Sequence, residues 1–474
     1  MKRILVGRER EVKQLRDSLS TKKSEFVVVY GRRRVGKTFL IREVIGDQAC
    51  FEMSGMENAD MGDQLANFYF TLRRNYPSAV HPKSWIEAFF ELQNYLETLP
   101  EGNKIIFIDE LPWLDTMRSK FIAALERFWN GWADRRDDIK LIVCGSATSW
   151  MIDNIINNRG GLHNRKTHQI CLAPFTLKET CQYFNANGFG YRMKEIAECY
   201  MVMGGVAYYY SLMNSKESVA QNIDRLFFST GGELKNEFEN IYRSLFKKAG
   251  DHISIVAALA KVAKGMTRKQ ILELTKLNNN NKFTRTLEEL EKCGFIRSYV
   301  PFGETKRDIL FQLTDAFTLF YFRYAIENKY QDEAFWTNSL NSGKYRAWSG
   351  YAFETLCLNH LPQIKQALGI AGIQSRACCW TAKQEENHKG AQIDLLIDRA
   401  DNTINLCEMK FSHSEYEITK SDDEDFENKI ESFLRQTKTG KSLMLTLITS
   451  FGVKPGKYSG HVQRQLSLDD FIKN

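Results

Sequence analysis

Two short stretches of the 474-residue chain carry residue types that do chemistry on phosphates. The first is Gly31-Arg32-Arg33-Arg34-Val35-Gly36-Lys37-Thr38. Its glycines let backbone N–H groups turn inward around phosphate oxygens. Its lysine can reach the terminal phosphates of ATP, and its threonine hydroxyl can ligate Mg²⁺. A partner pair follows at Asp109-Glu110: Asp109 to hold Mg²⁺ through water, Glu110 to orient and polarise the attacking water. The second stretch is Glu408-Met409-Lys410, where a carboxylate and an ammonium share one face of a strand because strand side chains repeat every two residues. A charge on a half-buried strand is costly unless something pairs with it.

The elements around the first stretch fit its chemistry. Val27, Val28 and Val29 make a continuous apolar strand, as expected of a central parallel strand covered on both faces. Leu40, Ile41 and Val44 follow at helical spacing, and the start of that helix adds partial positive charge beside the phosphates. Strand, glycine-rich turn and helix form the P-loop pattern in its required context. Ile105 to Ile108 form the apolar strand that ends in Asp109 and Glu110. A third apolar strand, "KLIVCGSATSW", ends at Ser146. That hydroxyl either senses the γ-phosphate or the water, or caps the next helix. Downstream, Arg159 and Arg165 on a glycine-rich loop are either arginine fingers, in cis or from a neighbouring subunit, or surface arginines.

Together "ILVGREREVKQL", the P-loop, "FIDELPWL", "CGSATSWM" and "MVMGGVAYYYSLM" resemble the archaeal-type ATPases of the STAND branch of AAA+-related P-loop NTPases, over roughly residues 1–325. The resemblance implies that Gly7-Arg8-Glu9 opens the module near the nucleotide and that Gly204-Gly205 lies in a helical lid. Where that family usually has a proline after these glycines, this chain has Ala207.

Residues 251–315 read as three short helices and a hairpin with Gly303 in its turn, a winged helix-turn-helix. Its third helix would offer Lys282 and Arg285 to DNA, and its wing Lys306 and Arg307. Glu288, Glu289 and Glu291 dilute that set, so a packing and signalling role stands beside DNA reading. The aromatic run "FTLFYFRYAIENKYQ" has the spacing of core packing or a domain seam.

Near the C-terminus, "GAQIDLLIDRADNTINLCEMKFS" reads as a hairpin with strands over 391–397 and 404–411, carrying Asp394 on the first and Glu408 and Lys410 on the second. Upstream, Glu354 lies near the start of the helix in "WSGYAFETLCLNHL". Helix with Glu, strand with Asp, strand with Glu-x-Lys resembles the restriction-endonuclease-like, or PD-(D/E)xK, nuclease fold over about residues 345–450. The resemblance implies that Asp394 and Glu408, with the Met409 carbonyl, hold Mg²⁺. It also implies that Lys410 stabilises the nucleophilic water or developing anion, and that Glu354 completes the shell. Gln436 is a possible helical accessory, and the acidic run 421–429 reads as a solvated face or loop. Without Asp394 and Glu354, Glu408 and Lys410 would read as a charge pair blunting an exposed edge strand.

The wider composition fits a soluble, cytoplasmic protein. The chain is 43% hydrophobic and 26% charged, with no bilayer-length apolar run and no signal-like start. Ten cysteines without CxxC spacing read as reduced thiols rather than a zinc site. A net charge of +7 permits a polyanionic partner. The expected architecture is α/β: a P-loop parallel-sheet ATPase core over 1–175, a helical lid over 176–245, a winged helix-turn-helix over 246–325, a linker over 326–344 and a restriction-endonuclease-like domain over 345–474. The expected function is an ATP-hydrolysing switch coupled to a Mg²⁺-dependent nuclease in defence or mobile-element biology. It would act on nucleic acid, DNA ahead of RNA, with self-assembly or a protein partner left open and no membrane. The competing reading is an ATP-dependent regulatory scaffold whose C-terminal domain is catalytically silent.

Overall fold

A computed structural model describes residues 4–158, 160–246, 248–328, 331–384 and 389–473. The chain divides into two compact units, Met1–Pro174 and Phe175–Asn474.

The first unit is built on five parallel strands: β1 (Glu25–Tyr30), β2 (Ala49–Ser54), β3 (Lys104–Asp109), β4 (Ile139–Gly145) and β5 (His168–Cys171). Their spatial order is β2-β3-β4-β1-β5. Every residue of β3 and β4 is buried, as the apolar runs 105–108 and 141–144 require of strands covered on both faces. On one face Phe26, Val28, Ile106, Ile108, Leu141 and Val143 pack with side chains of the helices Met61–Arg73, Trp85–Thr98 and Phe121–Gly131. On the other, Val27, Val29, Ile105, Phe107 and Ile142 meet Leu15 of the helix Glu9–Ser20 and Ile41 and Ile45 of the helix Lys37–Ile45. This three-layer α/β arrangement brings Gly31, Asp109 and Ser146 to the carboxyl ends of β1, β3 and β4, where open α/β sheets bind their ligands.

The second unit contains two further sheets. β6 (Met266–Thr267), β7 (Ile296–Tyr299) and β8 (Leu310–Leu313) are antiparallel in the order β6-β8-β7. With the helices Gly250–Leu259, Arg268–Thr275 and Asn281–Lys292 they have the expected element order of a winged helix. The last sheet holds β9 (Ser375–Ala382), β10 (Ala391–Arg399), β11 (Thr403–Lys410), β12 (Ser442–Thr449) and β13 (Arg464–Leu466), in the order β13-β12-β11-β10-β9. β10 pairs antiparallel with both β9 and β11, whereas β11, β12 and β13 are parallel. Leu395, Ile397, Cys407 and Met409 share a core with Phe353, Leu356 and Cys357 of the helix Gly343–Asn359. Ile393, Leu396, Ile404 and Leu406 pack instead with Phe433 of the helix Lys420–Thr437.

One apolar core runs through this second unit, from Phe175 and Leu177 through Phe317 and Phe320 to Leu468 and Phe471. The lid, winged helix and C-terminal sheet expected as separate modules therefore share buried side chains. The stretch expected as a linker, 326–344, includes the helix Phe335–Ser339, whose Trp336 is 1% exposed. The Trp336 ring packs between Phe320, Tyr324, Tyr345 and Trp348, and its backbone N–H donates to Asp224 at 2.8 Å. A spacer would leave so large an apolar ring in water.

The wing also has a partner. Phe302 N–H donates to the Cys379 carbonyl at 2.8 Å, and Arg376 donates to the Pro301 carbonyl at 3.1 Å. The segment after β7 thus covers β9 at the edge of the C-terminal sheet. No helix among the described residues is long and apolar enough to cross a membrane, and all ten cysteines are free thiols.

Candidate functional site

In the first unit, β1 delivers the chain into a loop whose backbone only certain residues tolerate. Gly31 has φ 143°, and a Cβ there would lie 2.2 Å from the Leu172 carbonyl oxygen. Gly36, at φ 97°, opens the helix Lys37–Ile45. Arg34, at φ 70°, is a non-glycine residue in the left-handed region, the kind of local strain that binding loops retain. Val35 is buried with Leu40 and Leu172, which pins the loop from below. Arg32 is largely buried, whereas Arg33 lies 3.8 Å from Glu57. Arg8, from the Gly7-Arg8-Glu9 stretch, is buried and donates to the Ala173 carbonyl at 2.8 Å.

The polar groups that would face ATP converge. Lys37 Nζ curls over the loop and donates to the carbonyls of Gly31 (3.0 Å) and Arg32 (2.8 Å). Thr38 Oγ1 donates to Asp109 Oδ2 at 2.7 Å, so the hydroxyl and carboxylate that would share a Mg²⁺ already meet. Both are hard oxygen donors, as that ion demands. Glu110 takes φ 46° immediately after β3 and accepts two hydrogen bonds on Oε2, from Ser146 N (3.2 Å) and Ser146 Oγ (2.8 Å). Ser146 does not cap the next helix: Ala147 holds that position, without a side-chain cap. Nothing in the local sequence announced the Glu110–Ser146 contact, because it is made across two strands. Arg165 forms a half-exposed ion pair with Asp134 at 3.2 Å, as a surface arginine would. Arg159 lies outside the described residues.

In the second unit, Glu354, Asp394, Glu408 and Lys410 come within electrostatic reach of one another. The helix carrying Glu354 begins at Gly343, so Glu354 sits well inside it rather than near its start. The β9–β10 register shifts between Ile393 and Leu396, a bulge that contains Asp394. Unbroken alternation would send Ile393 and Leu396 to opposite faces, yet both pack in one cluster. The extra residue re-aims the acid, as bulges beside functional groups do. Leu395 pairs with Cys407, so Asp394 lies opposite Glu408 one step farther along the ladder. Gln392 donates to Asp394 Oδ1 at 2.6 Å.

Glu408, 11% exposed at its side chain, faces two ammonium groups: Lys410 Nζ at 2.9 Å from Oε1 and Lys429 Nζ at 2.8 Å from Oε2. Lys429 comes from the helix Lys420–Thr437 and was hidden in the sequence within an acidic run. That run is the first half of a helix, not a loop, and its Asp423 is buried. Gln436, the accessory expected of this helix, is exposed, and Lys429 of the same helix reaches Glu408.

Burial pushes the Glu354 carboxyl up to about 8, helped by repulsion from Asp394 and Glu408 and opposed by Lys410 and Lys429. Burial also raises Asp394, against the hydrogen bond from Gln392. Burial works against the charge on Lys410 and Lys429, but Glu408, joined by Asp422 and Asp425 at Lys410 and by Asp425 at Lys429, outweighs it and raises both. Three half-buried carboxyl groups beside two lysines gather hard oxygen donors, the donor chemistry a divalent cation takes, and an arriving cation would favour the ionised form of Glu354. Elsewhere on the same helix, Asp423 and Glu427 approach His461 with ligand atoms within 4.8 Å, and His461 Nδ1 lies 2.6 Å from Asp423.

Two of the four basic side chains expected to face DNA are in ion pairs. Lys282 pairs with Asp251 at 2.5 Å and Arg285 with Glu289 at 3.0 Å, whereas Lys306 and Arg307 are exposed.

Residues 5–213 match the family described as an ATPase domain predominantly from Archaea. An uncharacterized protein of Methanocaldococcus jannaschii is 25% identical over 396 residues, which is 83% of this chain and 84% of that one. Among solved structures, the chain is similar to the Walker-type ATPase of Pyrococcus abyssi, with 18% identity, a TM-score of 0.48, and coverage of 67% of this chain and 96% of that one. It is also similar to the ORC2 protein of Aeropyrum pernix in ADPNP–ADP complexes, with 14% identity, a TM-score of 0.40, and coverage of 68% and 95%.

Proposed function

We propose that this chain, a P-loop ATPase over its N-terminal part, uses ATP hydrolysis to govern a metal-dependent nuclease in its C-terminal part. In the ATPase core, Gly31 to Gly36 would cradle the phosphates, Lys37 would leave its loop carbonyls for them, and Glu110 would orient the attacking water. Thr38 and Asp109 would hold Mg²⁺.

The observation that carries the nuclease reading is the gathering of Glu354, Asp394, Glu408 and Lys410, distant along the chain, around one end of β10 and β11. Asp394 and Glu408 would hold the divalent cation, which when bound polarises a phosphodiester and acidifies its water. Lys410 would stabilise the nucleophile or the developing anion, and Glu354 would hold a ligated water. The substrate class is nucleic acid, DNA ahead of RNA, and in this reading the nucleotide state alters access to that cluster.

The test is a cleavage assay on mixed DNA and RNA substrates with Mg²⁺ or Mn²⁺, with and without ATP. Cleavage lost in Asp394→Ala and Lys410→Ala, with ATP turnover retained, supports the reading. Wild-type protein that turns over ATP and never cuts any substrate replaces it with the regulatory scaffold.

A further inference from the structure

Both carboxylate oxygens of Glu408 are already occupied by ammonium groups, and the two lysines differ in what else they touch. Lys410 follows Glu408 by two residues on β11, so the strand fixes it beside its partner. Lys429 reaches in from the helix Lys420–Thr437 and has a second hydrogen-bonding carboxylate, Asp425 Oδ2 at 2.9 Å, one turn back on its own helix. Its side chain is 15% exposed, whereas that of Asp425 is 48% exposed, so Asp425 stands at the solvent side of the bridge. An oxygen facing an ammonium at 2.8 Å is a poor ligand for a divalent cation, because the arriving ion meets a like charge at close range. Withdrawal costs Lys429 little, since half of its ion pairing stays with Asp425.

We propose that Lys429 is the resident counter-charge of the acid cluster. It holds Glu408 until a divalent cation arrives and then retreats to Asp425, so that Lys429 and Asp425 together set the cation concentration at which the site loads. The inference rests on the reading of the cluster as a divalent-cation site, and it concerns binding, not turnover. A purely structural ion pair behaves in the opposite way: removing Lys429 would then loosen Glu408 and weaken any cation site there.

The test titrates the full-length, nucleotide-free chain with Mn²⁺, by calorimetry and by the electron paramagnetic resonance of free Mn²⁺. Lys429→Met and Lys429→Gln should each bind the ion about fivefold more tightly than wild type at unchanged stoichiometry. Asp425→Ala should bind it about threefold more weakly, because Lys429 loses its retreat. The double variant Asp425→Ala/Lys429→Met should match Lys429→Met, since Asp425 acts through Lys429. Asp394→Ala identifies which ion is counted, separating it from any held by Asp423, Glu427 and His461. Thermal melts of both Lys429 variants guard against misfolding, and Lys429→Gln keeps a hydrogen-bonding group where Lys429→Met does not. Affinity unchanged or weakened in both Lys429 variants, with Asp394-dependent binding intact, overturns this inference alone. Binding that Asp394→Ala does not diminish overturns the cation-site reading and this inference with it.

Discussion

Ser146 donates twice to one oxygen of Glu110, from its backbone N–H at 3.2 Å and its hydroxyl at 2.8 Å. A carboxylate that must aim a water molecule is useful only if its own direction is fixed. Glu110→Gln should lower ATP turnover by about a hundredfold with nucleotide affinity retained, and Ser146→Ala by about tenfold. If Ser146 acts through Glu110, adding Ser146→Ala to Glu110→Gln should cost nothing more. Steady-state turnover and ATP binding on the four proteins check this, and additive losses would separate the two residues.

Gly31 and Gly102 offer a matched pair. Both have strongly positive φ (143° and 127°), but a Cβ at Gly31 strikes the Leu172 carbonyl at 2.2 Å, whereas one at Gly102 meets nothing within 4 Å. Gly102→Ala should cost about 1 kcal/mol of stability, the strain alone. Gly31→Ala should cost more than about 2 kcal/mol and abolish ATP binding, because relief of the clash must move the loop. Thermal denaturation and nucleotide titration of the two variants measure the difference.

His360 is buried, with Nδ1 donating to Leu356 O at 2.8 Å and Nε2 accepting from Leu177 N–H at 2.8 Å. Burial lowers its pKa from 6.5 to about 4. The folded state therefore disfavours the extra proton. The contribution of His360 is fully present above about pH 6.5 and is lost as pH falls toward 4. Acid denaturation of wild type should lose about 3 kcal/mol across that window from this group. His360→Gln should be less stable at pH 7.5 and flatter with pH, as chemical denaturation at several pH values will read.

Glu354 has the opposite sign. Its folded pKa is raised to about 8 from 4.5, so its contribution is present below about pH 4.5 and is lost as pH rises through 8. In chelator-treated protein, Glu354→Gln should be more stable than wild type by about 2 kcal/mol at pH 8.5 and equal to it near pH 4.5. Equal gains at both pH values would show that its charge is not what the fold resists.

The wing gives a packing test. The Phe302 ring lies 5.0 Å from Phe433, and its backbone joins β9 through Cys379. Phe302→Ala should destabilise the second unit by about 2 kcal/mol, whereas Lys306→Ala and Arg307→Ala, on exposed residues of the same wing, should change stability by less than about 0.5 kcal/mol. If those two basic substitutions instead weaken DNA binding with a reduced salt slope, the wing also reads nucleic acid.

The phosphate loop, the acids after β3 and the β10–β11 hairpin were legible because each is written in a few consecutive residues with the right flanks. In the hairpin turn, Asn402 takes the left-handed φ of 61° that its residue type tolerates between the two strands. What could not be read is what depends on register and on distant packing. The bulge at Asp394 depends on how β10 sits against β9, not on β10 alone. Lys429 is one cation in "SDDEDFENK", and only the angle of its helix against the sheet sends it to Glu408. Trp336 looked like part of a polar spacer because its four aromatic partners lie both before and after it in the chain.

The hydrogen bond from Leu177 to His360 spans 183 residues and joins the start of the second unit to the end of the helix Gly343–Asn359. Because one core runs from Phe175 to Phe471, the C-terminal sheet is no detachable cartridge. Cutting the gene near residue 345 would strip Trp348 of Phe320, Tyr324 and Trp336 and would part Tyr345 from Trp336, and such a fragment would report on its own collapse rather than on the cluster it carries. Exchange of this part between relatives would therefore have to carry the upstream helices along with it.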